Sequence, residues 1–131
     1  MDQNSKILVT GASGFLGQYI IKGLHKNNFK NVIPTYYSNS ESLDTSAIEL
    51  NLNDIVSVEN SLEGVDCVIH LAGMVSYNRK DKKKLYAMNQ GCTRDLINAC
   101  IFKNVKHFIY CSSASTLSKT NNPYNINVKE N

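Results

Sequence analysis

The segment Thr10-Gly11-Ala12-Ser13-Gly14-Phe15-Leu16-Gly17 is the part of this sequence best equipped to hold a phosphate. Its glycines are spaced GxxGxxG. They stand between an aliphatic run, Lys6 to Thr10 (KILVT), and a stretch in which Leu16, Ile20, Gly23 and Leu24 recur at helical spacing. Gly11 permits a sharp turn, Gly14 lets backbone N–H groups approach a pyrophosphate, and Gly17 lets the helix pack close to the strand. Strand, glycine turn and helix in this order predict dinucleotide binding, with Gly11, Ser13, Gly14, Phe15, Leu16 and Gly17 as contacts. No Gly-Lys-Ser/Thr follows, which argues against a Walker phosphate loop.

Three further places carry groups that could do chemistry. After the second apolar run the chain reads Thr35-Tyr36-Tyr37-Ser38-Asn39-Ser40. A carboxylate there would bond the adenosine ribose and favour NAD, and an arginine would pair with a 2′-phosphate and favour NADP. The chain offers neither. With no carboxylate to repel a phosphate and hydroxyls able to bond it, Tyr37 and Ser38 lean toward NADP. His70 is a tempting acid or base, but it lies in the apolar stretch Asp66 to Leu71 (DCVIHL) and is expected to be a satisfied core histidine. The basic run from Arg79 to Lys84 reads as a solvated loop and first helical turn.

The elements that must position these groups alternate. Strands are predicted at Lys6 to Thr10, Asn31 to Tyr36, Ser46 to Leu52, Asp66 to Leu71 and His107 to Cys111. Helices are predicted over about residues 14 to 27, from an Asn53-Asp54 cap through Leu62, and over about 82 to 102, where Leu85, Met88, Cys92, Leu96, Ala99 and Cys100 mark one face. Pro34 sits awkwardly in the second strand. Strands separated by helices imply parallel pairing with right-handed crossovers, hence an α/β, Rossmann-like, doubly wound sheet of order 3-2-1-4-5. Ligands bind such a sheet at the carboxyl ends of its strands. Residues 1–118 form this unit; residues 119–131 are a polar, asparagine-rich tail or the start of a further region.

Composition narrows the function. The 131 residues carry 14 basic and 11 acidic side chains, a net +3 that is too thin a margin to argue for nucleic acid. No apolar run could span a bilayer and no secretory signal is visible, so a cytoplasmic protein is expected. The four cysteines (67, 92, 100, 111) include no CxxC pair and are expected to be buried free thiols; no metal site is expected.

The glycine segment, written TGASGFLG, resembles the opening of the extended short-chain dehydrogenases, the NAD-dependent epimerase/dehydratase family. Three later landmarks agree. His70-Leu71-Ala72-Gly73 resembles that family's HLAA/HLAG segment. Asn89-Gln90-Gly91-Cys92-Thr93 falls where the family has N-x-x-G-T, with one extra residue before Thr93. Val105 to Ser113 (VKHFIYCSS) resembles its strand ending in Ser-Ser. The resemblance covers residues 6 to about 118.

This resemblance implies roles. Leu71, Ala72 and Gly73 would let the cofactor lie close to the strand end. Asn51-Leu52 stands where the family has Asp-hydrophobic, so the Asn51 carbonyl would accept a bond from adenine without charge assistance. Asn89 would bond within the active site or bridge helix and loop. Ser113 would be catalytic, holding the substrate oxygen that becomes a carbonyl, while a tyrosine shuttles the proton beside a lysine four residues on. None of the seven tyrosines has a lysine at that spacing. Truncation is the simplest account: a cofactor half without its proton-transfer pair or substrate region, inactive alone.

The expected function is therefore the NAD- or NADP-binding portion of an oxidoreductase, epimerase or dehydratase. It would act by hydride transfer on a hydroxyl or carbonyl carbon of a nucleotide sugar or small ketone. A non-enzymatic dinucleotide sensor is the alternative. A homodimer through the helix at about 82–102 is the expected assembly, with no nucleic-acid or membrane partner.

Overall fold

The computed structural model describes residues 1–41 and 43–113. The predicted tail at 119–131 lies outside them. Five strands form one parallel sheet: β1 (Lys6–Thr10), β2 (Asn31–Tyr36), β3 (Ile48–Glu49), β4 (Cys67–His70) and β5 (His107–Tyr110), in the order β3-β2-β1-β4-β5. The helices are α1 (Phe15–Lys26), α2 (Ile55–Ser61), α3 (Lys82–Tyr86) and α4 (Thr93–Phe102). Fold class and strand order are as the alternation predicts.

Aliphatic side chains on the two faces of the strands build two cores. Ile7, Val9, Val32, Cys67 and Ile69 pack with Ala12 and with Ile21 of α1. Leu8 and Val68 face the other way, onto Val58 and Leu62 from the α2 segment and Leu96, Ala99 and Cys100 of α4. β1 and β4 are buried on both faces, as expected of central parallel strands.

Four sequence expectations need correction. β3 is two residues long instead of seven, although the Leu50 N–H still donates to the Tyr36 carbonyl at 2.8 Å. As an edge strand it has one neighbour to hold it among the described residues, and its residues Ile48 and Glu49 are exposed.

Pro34 is fully accommodated. Thr35 turns its carbonyl toward the β1 side, to the Ala12 N–H at 3.1 Å, and Tyr36 turns toward β3. By alternation Pro34 also faces the β3 side, and β3 begins only opposite Thr35, so no ladder donor is missed there.

The helix expected over about 82 to 102 is interrupted by a π-helical segment, Ala87–Cys92, between α3 and α4. A π turn swallows an additional residue and re-aims the side chains around it.

Cys67, Cys92 and Cys100 are buried thiols, but Cys111 is exposed, because it follows a β5 whose outer edge has no strand beside it among the described residues.

Candidate dinucleotide and substrate clefts

Thr10 is the last residue of β1, and the chain turns at once through Gly11, whose φ of +69° lies in the left-handed region. A Cβ on Gly11 would stand 2.7 Å from the Ala72 nitrogen. One on Gly17 would stand 2.6 Å from the Ala12 carbonyl oxygen. Only glycine lets the turn press on the end of β4, and lets α1 press on the turn. Gly14 is the N-cap of α1 in extended conformation, with no side-chain cap bond and no acidic residue in the first turn. The first-turn N–H groups of α1 and the positive end of its dipole are therefore left for an anion.

These parts open onto a cleft of about 330 Å³ at the carboxyl ends of β1, β2 and β4. Of the predicted contacts, Gly11, Ser13, Gly14, Tyr37, Ser38, Leu52, Leu71, Ala72 and Gly73 line it. Gly17 lies behind the turn. Phe15 and Leu16 are exposed on α1, where the Phe15 ring meets that of Tyr19 at 5.0 Å, and neither lines the cleft. The Asn51 carboxamide instead accepts the Asn53 N–H at 3.0 Å, closing a local turn ahead of α2. Thr10, Thr35, Tyr36, Asn39, Leu50 and Met88 also line the cleft and are not among the contacts the sequence predicts. Thr35 and Leu50 could have been found as strand ends; Met88 needed the π segment. Among the described residues no side chain lining the cleft is charged. The tight glycine cradle, the open helix end and the uncharged walls fit a dinucleotide.

A second cleft of about 410 Å³ is lined by Leu85, Tyr86, Asn89, Gln90, Tyr110, Ser112 and Ser113. Ser113 is thus exposed beside the carboxyl end of β5, as the strand-end position predicts. Asn89 closes a two-bond ring with the loop after β4: its amide donates to the Met74 carbonyl at 2.8 Å and its oxygen accepts the Met74 N–H at 2.7 Å. It bridges helix and loop.

His70 lies between the clefts, 1% exposed. Thr10 Oγ1 accepts the N–H groups of Ala72 (3.3 Å) and of Leu71 (3.2 Å), the latter shared with the Thr10 backbone carbonyl at 3.2 Å. With these N–H groups aimed at the oxygen, we assign its own hydrogen to His70 Nδ1, 2.6 Å away. The proton of the neutral ring is then on Nε2, which donates to Thr93 Oγ1 at 2.9 Å. Burial pushes the His70 pKa down to about 4. Both nitrogens are bonded inside the protein, so His70 is a satisfied core histidine. Among the described residues no group of three or more His, Cys, Asp or Glu side chains could hold a metal, and no helix is long and apolar enough to cross a membrane.

Known proteins are similar to this chain in sequence and in fold. The 3β-hydroxysteroid dehydrogenase/Δ5→4-isomerase of Monkeypox virus is 28% identical over 126 residues, covering 88% of this chain and 36% of the viral protein. A short-chain dehydrogenase/reductase superfamily protein from Agrobacterium tumefaciens, solved with bound NAD, superposes with a TM-score of 0.75 at 27% identity, over 85% of this chain and 33% of that one. The UDP-N-acetylglucosamine 4-epimerase of Bacillus cereus superposes with a TM-score of 0.74 at 28% identity, over 92% of this chain and 44% of the epimerase. The chain thus spans between 33% and 44% of the length of these relatives. Residues 7–130 match the NAD dependent epimerase/dehydratase family, and the chain belongs to that family.

Proposed function

We propose that this chain binds NAD in the cleft at the carboxyl ends of β1, β2 and β4, as the cofactor-binding part of an enzyme that oxidises or reduces a hydroxyl or carbonyl carbon. The carrying observation is the contact of the Gly11 turn with Ala72, which leaves room for a ligand backbone-close above the uncapped start of α1. First-turn N–H groups of α1 would hold the pyrophosphate, and Tyr36, Tyr37 and Ser38 would surround the adenosine ribose. Bound dinucleotide supplies a hydride acceptor or donor. Ser113, in the adjoining cleft, would hold the substrate oxygen by its hydroxyl.

The sequence leaned to NADP on the absence of a carboxylate after β2. Among the described residues the cleft lining carries no cation to hold a 2′-phosphate either, and the Agrobacterium tumefaciens relative was solved with bound NAD. NAD is therefore the proposed cofactor, with NADP tolerated. Two of the three relatives named above differ in substrate, a 3β-hydroxysteroid and a UDP-sugar, so what this reading carries over is the alcohol–carbonyl chemistry. The 131 residues hold no tyrosine followed four residues on by lysine, so proton transfer from Ser113-bound substrate lacks its partner and this chain alone does not turn over. Ile97, Ile101 and Phe102 leave α4 with exposed apolar side chains, which supports self-association through residues 82–102. The setting is read as cytoplasmic.

A thermal-shift titration with NAD, NADH, NADP and NADPH tests the reading. A ligand that binds only the native state raises the melting temperature by mass action. A rise with NAD or NADH is expected. A folded chain that shifts with none of the four would overturn it.

A further inference from the structure

We propose that His70 is a positioning residue that sets the shape of the dinucleotide cleft from behind its wall, acting through Thr10. The proposal rests on the dinucleotide reading above. Filling this core site asks only for a hydrophobic side chain, and a buried imidazole costs desolvation of two nitrogens that leucine or phenylalanine does not carry. What the imidazole adds is direction. The Nδ1 contact at 2.6 Å holds the Thr10 hydroxyl in the rotation whose oxygen faces the Leu71 and Ala72 N–H groups; the Leu71 N–H is shared with the Thr10 backbone carbonyl, and the Ala72 N–H is held by the side chain. Those two peptides form the strand end against which Gly11 packs, and Leu71, Ala72 and Thr10 all line the dinucleotide cleft.

The opposite edge of the ring ties this corner to a different layer. Nε2–H donates to Thr93, the first residue of α4, directly after the π segment. That segment contributes Met88 to the dinucleotide cleft and Asn89 and Gln90 to the second one. The ring also stacks on Tyr110, which lines the second cleft, with centroids 5.4 Å apart and planes 19° apart. A fully satisfied buried network of this kind fixes one arrangement among several that hydrophobic packing would tolerate.

Thr93 lines neither cleft, so it offers a test at a distance from the ligand. Thr93→Val keeps shape and removes the acceptor; Thr93→Ser keeps the hydroxyl and removes the methyl. NADH affinity is measured by fluorescence titration of the whole chain, at a temperature where circular dichroism shows each variant fully folded. The expected result is a loss of affinity of about five- to tenfold in Thr93→Val, the scale of one disturbed buried hydrogen bond, with Thr93→Ser staying close to wild type. A folded Thr93→Val that binds NADH as wild type does would overturn the proposal. Should Thr93→Val fail to fold, Thr93→Cys, a far weaker acceptor, takes its place under the same criterion. If the unaltered chain binds no dinucleotide, the cofactor reading itself has failed and the positioning role falls with it; binding by wild type with no effect at position 93 fails the positioning role alone.

Discussion

Gly11 stands against Ala72 so closely that a single added carbon would lie 2.7 Å from the Ala72 nitrogen, and its φ of +69° is one that side chains resist. Steric overlap with backbone and an unfavourable dihedral act together there. Gly11→Ala is expected to cost at least about 2 kcal/mol in urea unfolding and to abolish the NAD-induced thermal shift. Gly23→Ala is the matched control. It lies within α1, an added Cβ there meets nothing within 4 Å, and stability should rise by about 0.5–1 kcal/mol.

Acid should weaken this fold earlier than carboxylate titration would. Native His70 stays neutral down to about pH 4, whereas the unfolded chain takes up a proton on the same ring near pH 6.5. Its contribution is complete above pH 6.5 and is lost progressively as pH falls toward 4, where the loss reaches about 3 kcal/mol. Urea unfolding at pH 7 and pH 5 should differ by about 2 kcal/mol. Replacing His70 by Phe should remove that slope, whatever it does to stability at pH 7. Asp44 and Asp66 lie below the ordinary carboxylate range, held down by the Ser46 hydroxyl and by the Lys106 ammonium respectively; the stability they add is lost only at still lower pH.

The uncharged end of β2 should make cofactor choice easy to move. Tyr37 is exposed at the rim of the dinucleotide cleft, and Tyr37→Asp would place a carboxylate there. It should accept the ribose hydroxyls of NAD and repel a 2′-phosphate. The ratio of NADP to NAD dissociation constants is expected to rise about tenfold or more, as paired titrations would read it.

Thiol chemistry should report the sheet edge. Cys111 is exposed while Cys67, Cys92 and Cys100 are buried, and burial pushes the Cys100 thiol up to about 11. An aromatic disulfide reagent should titrate one thiol quickly in the native chain and all four in denaturant. Rapid reaction of three or more without denaturant would contradict the packing of β4 and α4.

Asp54 caps α2 by accepting the Val56 and Ser57 N–H groups at 3.1 and 3.3 Å. Asp54→Ala should cost about 1 kcal/mol in the same unfolding assay without changing dinucleotide binding, because the cap lies outside the cleft.

The sequence by itself determined the sheet and the glycine turn. Aliphatic runs of strand length, three of them followed by a 3.6-residue pattern, leave parallel pairing with crossovers as the way to bury every run, and GxxGxxG between strand and helix states its own backbone demand. The Asp54 cap was legible for the same reason, since it depends on neighbours two and three residues away. Tertiary structure decided whatever depends on partners distant in the chain. β3 shrank because an edge strand has one neighbour, Pro34 was tolerated because β3 starts opposite Thr35, and Cys111 was left in solvent because nothing pairs beyond β5 among the described residues. The π segment, and with it Met88 in the cleft, has no local signal strong enough to announce a change of helical pitch. The Thr10–His70–Thr93 chain joins residues 60 and 23 positions apart, and only folding brings their hydrogen-bonding atoms within reach.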